Sequence, residues 1–318
     1  MARQRLGQHF LADLDWREQI ARAIRVSPHS TAPLPGDEQH CWIEIGSGHG
    51  EITRHLVAPG GPVYAIELDP PLVAGLRRLA KDFPNLTVVP GDILKTDLAA
   101  IAARRRVRVY GNLPYYITSP ILHHLFQFAD LIDEMHFVIQ AEVARRLSAP
   151  PGTRDYGYLS VVTQFYTRPE FVFEIPRDAF HPRPEVHSAL VTLRLPGERA
   201  NLSLTRKFSE ADAQANASIA GNSSSATDAH AQASRSHKFS SAADSRADAS
   251  RVAESRFLDF VKLCFSKKRK TLVNNLRSLV KPEKIRGALA SQNLRPDARA
   301  EQLTVSQLAA LFSQLPGG

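Results

Sequence analysis

The sequence has few cysteines and no long hydrophobic run. Only Cys41 and Cys264 occur in its 318 residues, both in apolar surroundings, which excludes a disulfide framework and predicts two buried thiols. No stretch is long and apolar enough to span a membrane, and no secretory apolar core follows Met1. We therefore expect a cytoplasmic protein, and the cysteines give no sign of a metal site.

The charge balance is basic. Lysine and arginine number 40 against 32 acidic residues, which gives a net charge of +8. A surplus of this size favours an anionic partner, with nucleic acid as the first candidate, although many basic proteins bind none. The length allows one large domain and a smaller one.

The first two thirds of the chain alternate between short β-branched runs and amphipathic stretches. This alternation predicts a mostly parallel α/β sheet covered by helices on both faces. The predicted strands are Cys41–Ile45, Val63–Glu67, Leu86–Pro90, Val107–Tyr110 and His136–Gln140, and the predicted helices are Pro71–Lys81 and Ile121–Phe128. Ser119 is the expected N-cap of the second helix, with Pro120 at its first position. Two later runs, Leu159–Tyr166 and Ala189–Leu195, are expected to complete the sheet, the last as an antiparallel strand.

The composition changes sharply after residue 196. Small polar residues and alanine dominate residues 197–254, and such a segment buries too little apolar surface to offset its ordering entropy. Helical spacing resumes at Phe257, with further helices expected over Lys284–Gln292 and Thr304–Leu315. We therefore predict an α/β domain over residues 1–196, a disordered insertion over 197–254 and a small helical domain over 255–318.

Polar groups follow four successive predicted strands. A glycine-rich turn at Gly46 and Gly48 follows the first strand, and Glu67, Asp92 and Asn112 follow or end the next three. Because parallel strands direct their carboxyl ends to one edge, these groups are expected to line one crevice. The glycine-rich turn and Glu67 would equally suit a dinucleotide-binding fold. Any one carboxylate could instead be a cap or a solvated loop residue.

The segment after the fourth predicted strand suits an exocyclic amine on a planar ring. Asn112 offers a side-chain oxygen as acceptor, and Pro114 biases Leu113 towards an extended conformation that presents its carbonyl. Tyr115 offers a ring face for stacking. This combination favours chemistry on the N6 amine of adenine, against the alternative of an ordinary turn at the end of a strand.

Seven segments together resemble the ribosomal RNA adenine dimethyltransferases, and most closely their bacterial small-subunit branch. The resemblance covers roughly residues 3–196 and 256–315, and the ordered set is far more specific than any one segment. The segments are Arg5–Leu11 (RLGQHFL), Glu44–Gly48 (EIGSG), Glu67–Asp69 (ELD), Gly91–Asp92 (GD), Asn112–Tyr115 (NLPY), Phe180–Ala189 (FHPRPEVHSA) and Lys268–Leu272 (KRKTL).

The resemblance implies a Rossmann-like class I methyltransferase sheet with a small all-helical C-terminal domain, and S-adenosylmethionine (SAM) as cofactor. It implies that Asn112, Leu113, Pro114 and Tyr115 carry the chemistry. The cofactor contacts that it implies are His9, Leu11, Gly46, Glu67, Asp92 and Asn112. His9 stands where many relatives have asparagine, so it could instead be a structural residue. Phe180 is the candidate for the second ring face around the target adenine, with a core phenylalanine as the alternative.

The resemblance also implies a ribosomal RNA partner: two adjacent adenosines in the 3′-terminal hairpin loop of small-subunit RNA, in a partly assembled subunit. The predicted phosphate contacts are Lys267, Lys268, Arg269 and Lys270 on the first C-terminal helix, and Arg145 and Arg146 near the loop after the fifth predicted strand. A solvated helix face is the alternative for the lysine-rich run. We expect a monomer that needs no metal.

Three other functions compete with this one. A large-subunit RNA adenine methyltransferase of the macrolide-resistance type would share the cofactor and the chemistry. A ribosome-assembly factor without catalytic activity would keep the fold, but the intact Asn112–Tyr115 segment argues against it. A dehydrogenase would not need that segment, and no histidine and aspartate pair suited to hydride transfer stands out.

Overall fold

The computed structural model describes residues 8–25, 40–197 and 251–315. The chain divides into two compact units: Met1–Ala149 with Thr163–Gly197 form the first unit, and Pro150–Val162 with Glu198–Gly318 form the second. Most of the predicted insertion lies outside the described residues, so its disorder and the domain boundaries remain predictions.

The first unit is built on a seven-stranded mixed sheet and a separate two-stranded sheet. The strands are β1 (Phe10–Leu11), β2 (His40–Ile45), β3 (Val63–Glu67), β4 (Leu86–Pro90), β5 (Arg106–Asn112), β6 (Ile132–Gln140), β7 (Arg168–Ile175), β8 (Phe180–His181) and β9 (Ser188–Arg194). The order in the large sheet is β4-β3-β2-β5-β6-β9-β7, and β1 pairs with β8. Strands β2 to β6 are parallel, whereas β9 is antiparallel to both β6 and β7.

Seven α-helices connect these strands. They are α1 (Leu14–Ala23), α2 (Thr53–Val57), α3 (Pro70–Leu79), α4 (Leu98–Ala102), α5 (Thr118–Phe126), α6 (Ala141–Ser148) and α7 (Tyr158–Tyr166). The central strands are buried on both faces: Ile43, Val109 and Phe137 have no exposed surface. This double burial explains why apolar runs located the parallel strands in the sequence.

The start of α5 differs from the prediction. The helix begins at Thr118 and its N-cap is Ile117, which makes no side-chain capping hydrogen bond. Ser119 and Pro120 therefore lie inside the first turn. Pro120 is tolerated there because the first backbone N–H groups of a helix have no partner within it.

The prediction of a strand over Leu159–Tyr166 is wrong, because these residues belong to helix α7. The run is buried on nearly every side, and a short, fully buried β-branched run has no periodicity that separates strand from helix. The missing strand is β7, which the sequence analysis did not identify. It lies at the sheet edge, where Pro169 is tolerated.

The second unit contains a helix whose described part covers residues 251–264 (α8), followed by α9 (Leu272–Leu276), α10 (Pro282–Ala290) and α11 (Val305–Gln314). The rings of Phe257 and Phe260 lie 5.7 and 5.3 Å from that of Phe312, and all three are buried. Thr304 and Gln307 form a reciprocal cap at the start of α11. The two late helices that the sequence predicted are therefore present.

Cys41 and Cys264 are free and buried, as predicted. Burial raises the pKa of both thiols. Among the described helices, none is long and apolar enough to cross a membrane.

Candidate functional site

The predicted polar groups meet at the carboxyl ends of β2 to β5. Gly46, Glu67 and Asp92 line one groove together with apolar residues such as Ile93. Gly46 and Glu67 also line an adjoining cavity with Asn112. The structure therefore brings together four groups that lie up to 66 positions apart in the sequence, and it places them at the switch point of a parallel sheet.

The glycine-rich turn has a backbone that favours glycine. Gly46 and Gly48 have φ angles of +67° and +59°. A Cβ atom on Gly48 would lie 3.1 Å from two atoms of the Phe10 ring. Because the two glycines have no side chains, the space beside the turn stays empty and a ligand can approach its backbone closely.

Glu67 is more constrained than the sequence suggested. Its buried carboxylate accepts hydrogen bonds from the backbone N–H groups of Gly48 at 3.0 Å and of Leu68 and Asp69 at 2.9 Å. The bond from Gly48 ties the glycine turn to the end of β3, and the other two fix the carboxylate against the backbone that follows it. A carboxylate has about four acceptor positions, so capacity for a ligand hydroxyl remains.

Asp92 caps a short 3-10 turn, Ile93–Lys95. One carboxylate oxygen accepts from the backbone N–H of Leu94 at 3.0 Å. No described residue donates to its second oxygen. That oxygen is the acceptor available in the groove shared with Gly46 and Glu67.

Asn112 is oriented by the N-terminal segment. Its side-chain Nδ2 donates to the backbone carbonyl of His9 at 2.8 Å. Since the amide nitrogen faces that carbonyl, the acceptor Oδ1 faces away from it. Leu113 is buried and donates its backbone N–H to Val138 at 3.0 Å, and no described residue donates to its carbonyl.

Tyr115 is fixed at both ends of its side chain. Its hydroxyl forms a 2.8 Å hydrogen bond with Ser188 Oγ, at the start of β9. Burial raises the pKa of Tyr115, and the bond to Ser188 opposes that rise. The imidazole of His9 is stacked with the Tyr115 ring at 5.7 Å between centroids and 27° between planes.

The structure does not bring Phe180 to the crevice. Its side chain is 4% exposed and packs in the hydrophobic core, and β8 pairs it with Leu11 of β1. The placement supports the core alternative for Phe180. Leu11 is buried too, but it lines a small cavity beside Gly46 and Asn112.

Glu44 and Tyr110 are buried neighbours of the crevice whose state the sequence analysis missed. Burial raises the pKa of Glu44 to about 8, and its carboxyl accepts a hydrogen bond from Thr53 Oγ1. The Tyr110 hydroxyl is buried without a hydrogen-bond partner among the described residues. An acidic residue inside a buried strand was the available signal.

The crevice continues into a wide opening of about 1100 Å³. Its lining adds residues from the turn between β8 and β9 to residues already described. They include His181, Pro182, Arg183 and Val186, beside His9, His49 and Tyr115. This opening is large enough for a nucleotide to approach Tyr115, and its width could not be predicted from the sequence.

The predicted location of the lysine-rich run was wrong. Helix α8 ends at residue 264, and Lys267, Lys268, Arg269 and Lys270 lie in the exposed turn that follows it. The buried Asn275 side chain donates to the carbonyls of Cys264 and Lys267 at 2.6 and 3.3 Å. This side-chain cap ends the helix before the basic residues.

Arg145 and Arg146 lie on helix α6 rather than in a loop. Arg145 pairs with Glu174, and its guanidinium lies 5.8 Å from the centre of the Phe171 ring. Arg146 pairs with Glu142 one turn earlier on the same helix. Both guanidinium groups are about half exposed, so a phosphate would compete with these carboxylates.

The sheet order and the crevice at its switch point define a class I methyltransferase. The chain matches the family described as "Ribosomal RNA adenine dimethylase" over residues 1–210. It is 33% identical to the ribosomal RNA small subunit methyltransferase A of Koribacter versatilis (strain Ellin345), over 99% of this chain and 94% of that one. The chain therefore belongs to the ribosomal RNA adenine dimethylase family and is a ribosomal RNA adenine dimethyltransferase.

Two solved structures share the fold. A dimethyladenosine transferase from Plasmodium falciparum is 19% identical, covers 96% of both chains and has a TM-score of 0.64. The 23S rRNA methyltransferase ErmE is 24% identical, covers 96% of this chain and 99% of its own, and has a TM-score of 0.59. Because one fold is common to both, it does not distinguish between their substrates.

Proposed function

We propose that the protein transfers methyl groups from SAM to the N6 amines of two adjacent adenosines in the 3′-terminal hairpin loop of small-subunit ribosomal RNA. The family and its small-subunit relatives support the target. The structural observation that carries the chemistry is the orientation of the Asn112 amide, whose oxygen is left for an amine.

The residues of the crevice fit SAM. Glu67 retains acceptor capacity for a ribose hydroxyl, and the second oxygen of Asp92 would accept from the adenine amine. The backbone of Gly46 and the N-terminal residues His9 and Leu11 border the remaining space, where the methionine part would lie. When bound, SAM supplies a methyl group made electrophilic by its positively charged sulfur.

Asn112 and Leu113 act on the target amine. The N6 lone pair of adenine is delocalised into the ring, so the amine is a poor nucleophile. Acceptors at Asn112 Oδ1 and the Leu113 carbonyl draw the amine hydrogens out of the ring plane and localise the lone pair. No ionised general base is required, and the displaced proton leaves to solvent.

Tyr115 holds the target base. A base in a hairpin must leave its stack before its amine reaches Asn112, and an aromatic face offsets part of that cost. The bond between Tyr115 and Ser188 fixes the ring in advance. Alignment of this kind can lower a barrier by roughly 7–11 kcal/mol. The amine is methylated twice, so the monomethylated base must turn within the pocket.

RNA outside the pocket is held by charge. The exposed turn of Lys267, Lys268, Arg269 and Lys270 presents four consecutive cations, which suit phosphates without reading sequence. Arg145 and Arg146 are the second proposed contact. We further propose that the substrate is a partly assembled small subunit, whose shape is recognised, and that the enzyme acts as a monomer.

The test is methyl transfer from radiolabelled SAM to undermethylated small subunits, with large-subunit RNA as a parallel substrate. Products are resolved by nucleoside mass spectrometry. We expect dimethyladenosine confined to the 3′ hairpin. Asn112→Ala should abolish methylation while leaving RNA binding intact, because the base pocket and the phosphate contacts are separate.

Other outcomes would contradict the proposal. Label only in large-subunit RNA would assign the protein to the resistance type. Binding of small subunits without any label would favour an assembly factor. Loss of both methylation and RNA binding in Asn112→Ala would mean that Asn112 is mainly structural.

A further inference from the structure

His9 contacts two segments that are distant from it in the sequence, Asn112–Tyr115 and the turn at Pro182. Its backbone carbonyl accepts from Asn112 Nδ2 at 2.8 Å, and its ring stacks with Tyr115. Its Nδ1 lies 2.7 Å from the backbone carbonyl of Pro182. We propose that His9 is a positioning residue for methyl transfer, which holds the Asn112 amide with its oxygen towards the target amine. The inference rests on the function proposed above.

The two ends of the Asn112 amide differ in what they can bind. A primary amide donates from its nitrogen and accepts at its oxygen. A backbone carbonyl only accepts, so the His9 carbonyl stabilises the orientation in which Nδ2 faces it. With the amide turned by half a rotation, Asn112 would present N–H groups to the N6 amine. Two donors would then face each other, and the lone pair of the target would not be localised.

The His9 carbonyl is itself held by the His9 side chain. Because the Pro182 carbonyl only accepts, Nδ1 of His9 carries the proton of the 2.7 Å bond. Strand pairing supports the same arrangement, since Phe10 pairs with His181 and Leu11 with Phe180. The histidine ring therefore ties the N-terminal segment to the turn that begins at Pro182, and its carbonyl is fixed beside Asn112.

Two substitutions separate the hydrogen bond from the ring. In His9→Asn, the side-chain Nδ2 is the same number of bonds from the backbone as histidine Nδ1, so the donor to Pro182 is retained and the ring is lost. In His9→Phe, an aromatic ring remains beside Tyr115 and the donor is lost. Single-turnover rates at saturating SAM and RNA measure the methylation step, and calorimetry measures the Kd of SAM separately.

We expect His9→Phe to slow the methylation step by about 100-fold, the scale of a misplacement near 1 Å. His9→Asn should be at least about tenfold faster than His9→Phe, because the anchoring donor is present. Both variants should bind SAM with a Kd within about threefold of one another.

Three results would overturn the inference. They are equal rates for the two variants, a faster His9→Phe, or a loss confined to the Kd of SAM with the saturated rate unchanged. The wild-type enzyme distinguishes failure of this inference from failure of the proposed function. If the wild type methylates no adenosine, the proposed function is wrong. If it does methylate and the variants give one of the three results above, only the role of His9 is wrong.

Discussion

At the scale of the residue, the crevice contains a few polar side chains whose neighbours determine which of their atoms can still bind a ligand. Asn112 has one end of its amide occupied and the other left for a ligand. Glu67 accepts one hydrogen bond from the glycine turn and two from the backbone that follows it, which leaves little acceptor capacity. Glu44 lies behind that turn and is 2% exposed. All three side chains carry hydrogen-bond acceptors, but they differ in how many acceptor positions remain for a ligand.

Glu44 makes stability depend on pH. Burial raises its pKa to about 8 from an ordinary value of 4.5, with the nearby Glu51 and Glu67 adding to the rise. Between these values the folded protein holds a proton that the unfolded chain releases. The free energy of unfolding therefore falls as the pH rises through this interval, by at most about 1.4 kcal/mol for each pH unit.

Glu44→Gln removes this titration and keeps an oxygen that can accept from Thr53. Urea unfolding between pH 5 and pH 8 should show the variant gaining stability relative to wild type as the pH rises. The free energy of unfolding of the variant minus that of wild type should be a few kcal/mol more positive at pH 8 than at pH 5. Parallel profiles would mean that Glu44 does not titrate in this range.

The polar residues of the crevice could be proposed from the sequence, because Gly46, Glu67, Asp92 and Asn112 each end or follow a predicted strand. Their mutual contacts could not. The hydrogen bond between His9 and Asn112 joins positions 103 apart. Neither residue type indicates from the sequence that the other is its partner. Phe180 shows the same limit, because an aromatic residue beside prolines fits a ring-stacking wall and a core equally well.

At the scale of the element, the glycine turn between β2 and α2 lines the crevice at the end of the sheet. Its conformation comes from positive φ angles, and its proximity to Phe10 comes from the missing Cβ at Gly48. These are separable effects, since the first concerns folding and the second concerns the crevice.

Gly48→Ala tests the second effect, with Gly60→Ala as its control. Both positions have positive φ, at +59° and +89°, so both variants should lose roughly 1–2 kcal/mol of stability. Only the Cβ at position 48 meets a neighbour, the Phe10 ring, whereas the space around Gly60 is open. We expect Gly48→Ala to weaken SAM binding at least about tenfold by calorimetry and Gly60→Ala to leave it within twofold. Equal affinities would contradict this.

The parallel strands were found from the sequence, including β4 at one edge of the sheet, whereas helix α7 and the opposite edge strand β7 were not. The runs that form β2 to β5 are apolar, short and separated by helical patterns, so the sequence favoured strands over helices at these positions. The run that became α7 is equally apolar, and only the surrounding packing decided between helix and strand. Strand β7 contains Pro169, which weakens the strand signal although an edge strand accommodates it.

At the scale of the whole molecule, the surplus of eight positive charges matters because of where it is displayed. Four consecutive cations lie in the exposed turn after α8. Lys268 Nζ donates to the carbonyl of Arg154 at 3.4 Å within the second unit. The sequence analysis predicted that these charges lie on a helix. The helix ends before them because the side chain of Asn275 caps it, and a local sequence pattern does not reveal a contact between residues this far apart.

Replacing Lys267, Lys268, Arg269 and Lys270 by glutamine should reduce RNA affinity and its salt dependence. The slope of log affinity against log salt is expected to fall by up to about 3 in magnitude, since each lost phosphate contact contributes about 0.7–0.9. A control with four other exposed cations replaced, Arg277, Lys281, Lys284 and Arg286, has the same net charge.

Filter-binding titrations over a range of salt concentrations measure both slopes. A change of less than about 1 is expected for the control variant, because its charges lie outside the proposed contact turn. Equal slopes for the two variants would show that overall charge, and not this turn, sets the affinity for RNA.

Strand β9 lies between β6 and β7, and among the described strands it is the sole partner of β7. During synthesis β7 leaves the ribosome before β9, so for the time needed to add about 20 residues, roughly one to four seconds, the sheet ends at β6. Ser188, which fixes Tyr115, and β8, which holds β1, also belong to this late stretch. A nascent chain that stops before Phe180 therefore contains β2 to β5, whose ends line the crevice, but lacks both β8 and the Ser188 hydroxyl that bonds to Tyr115.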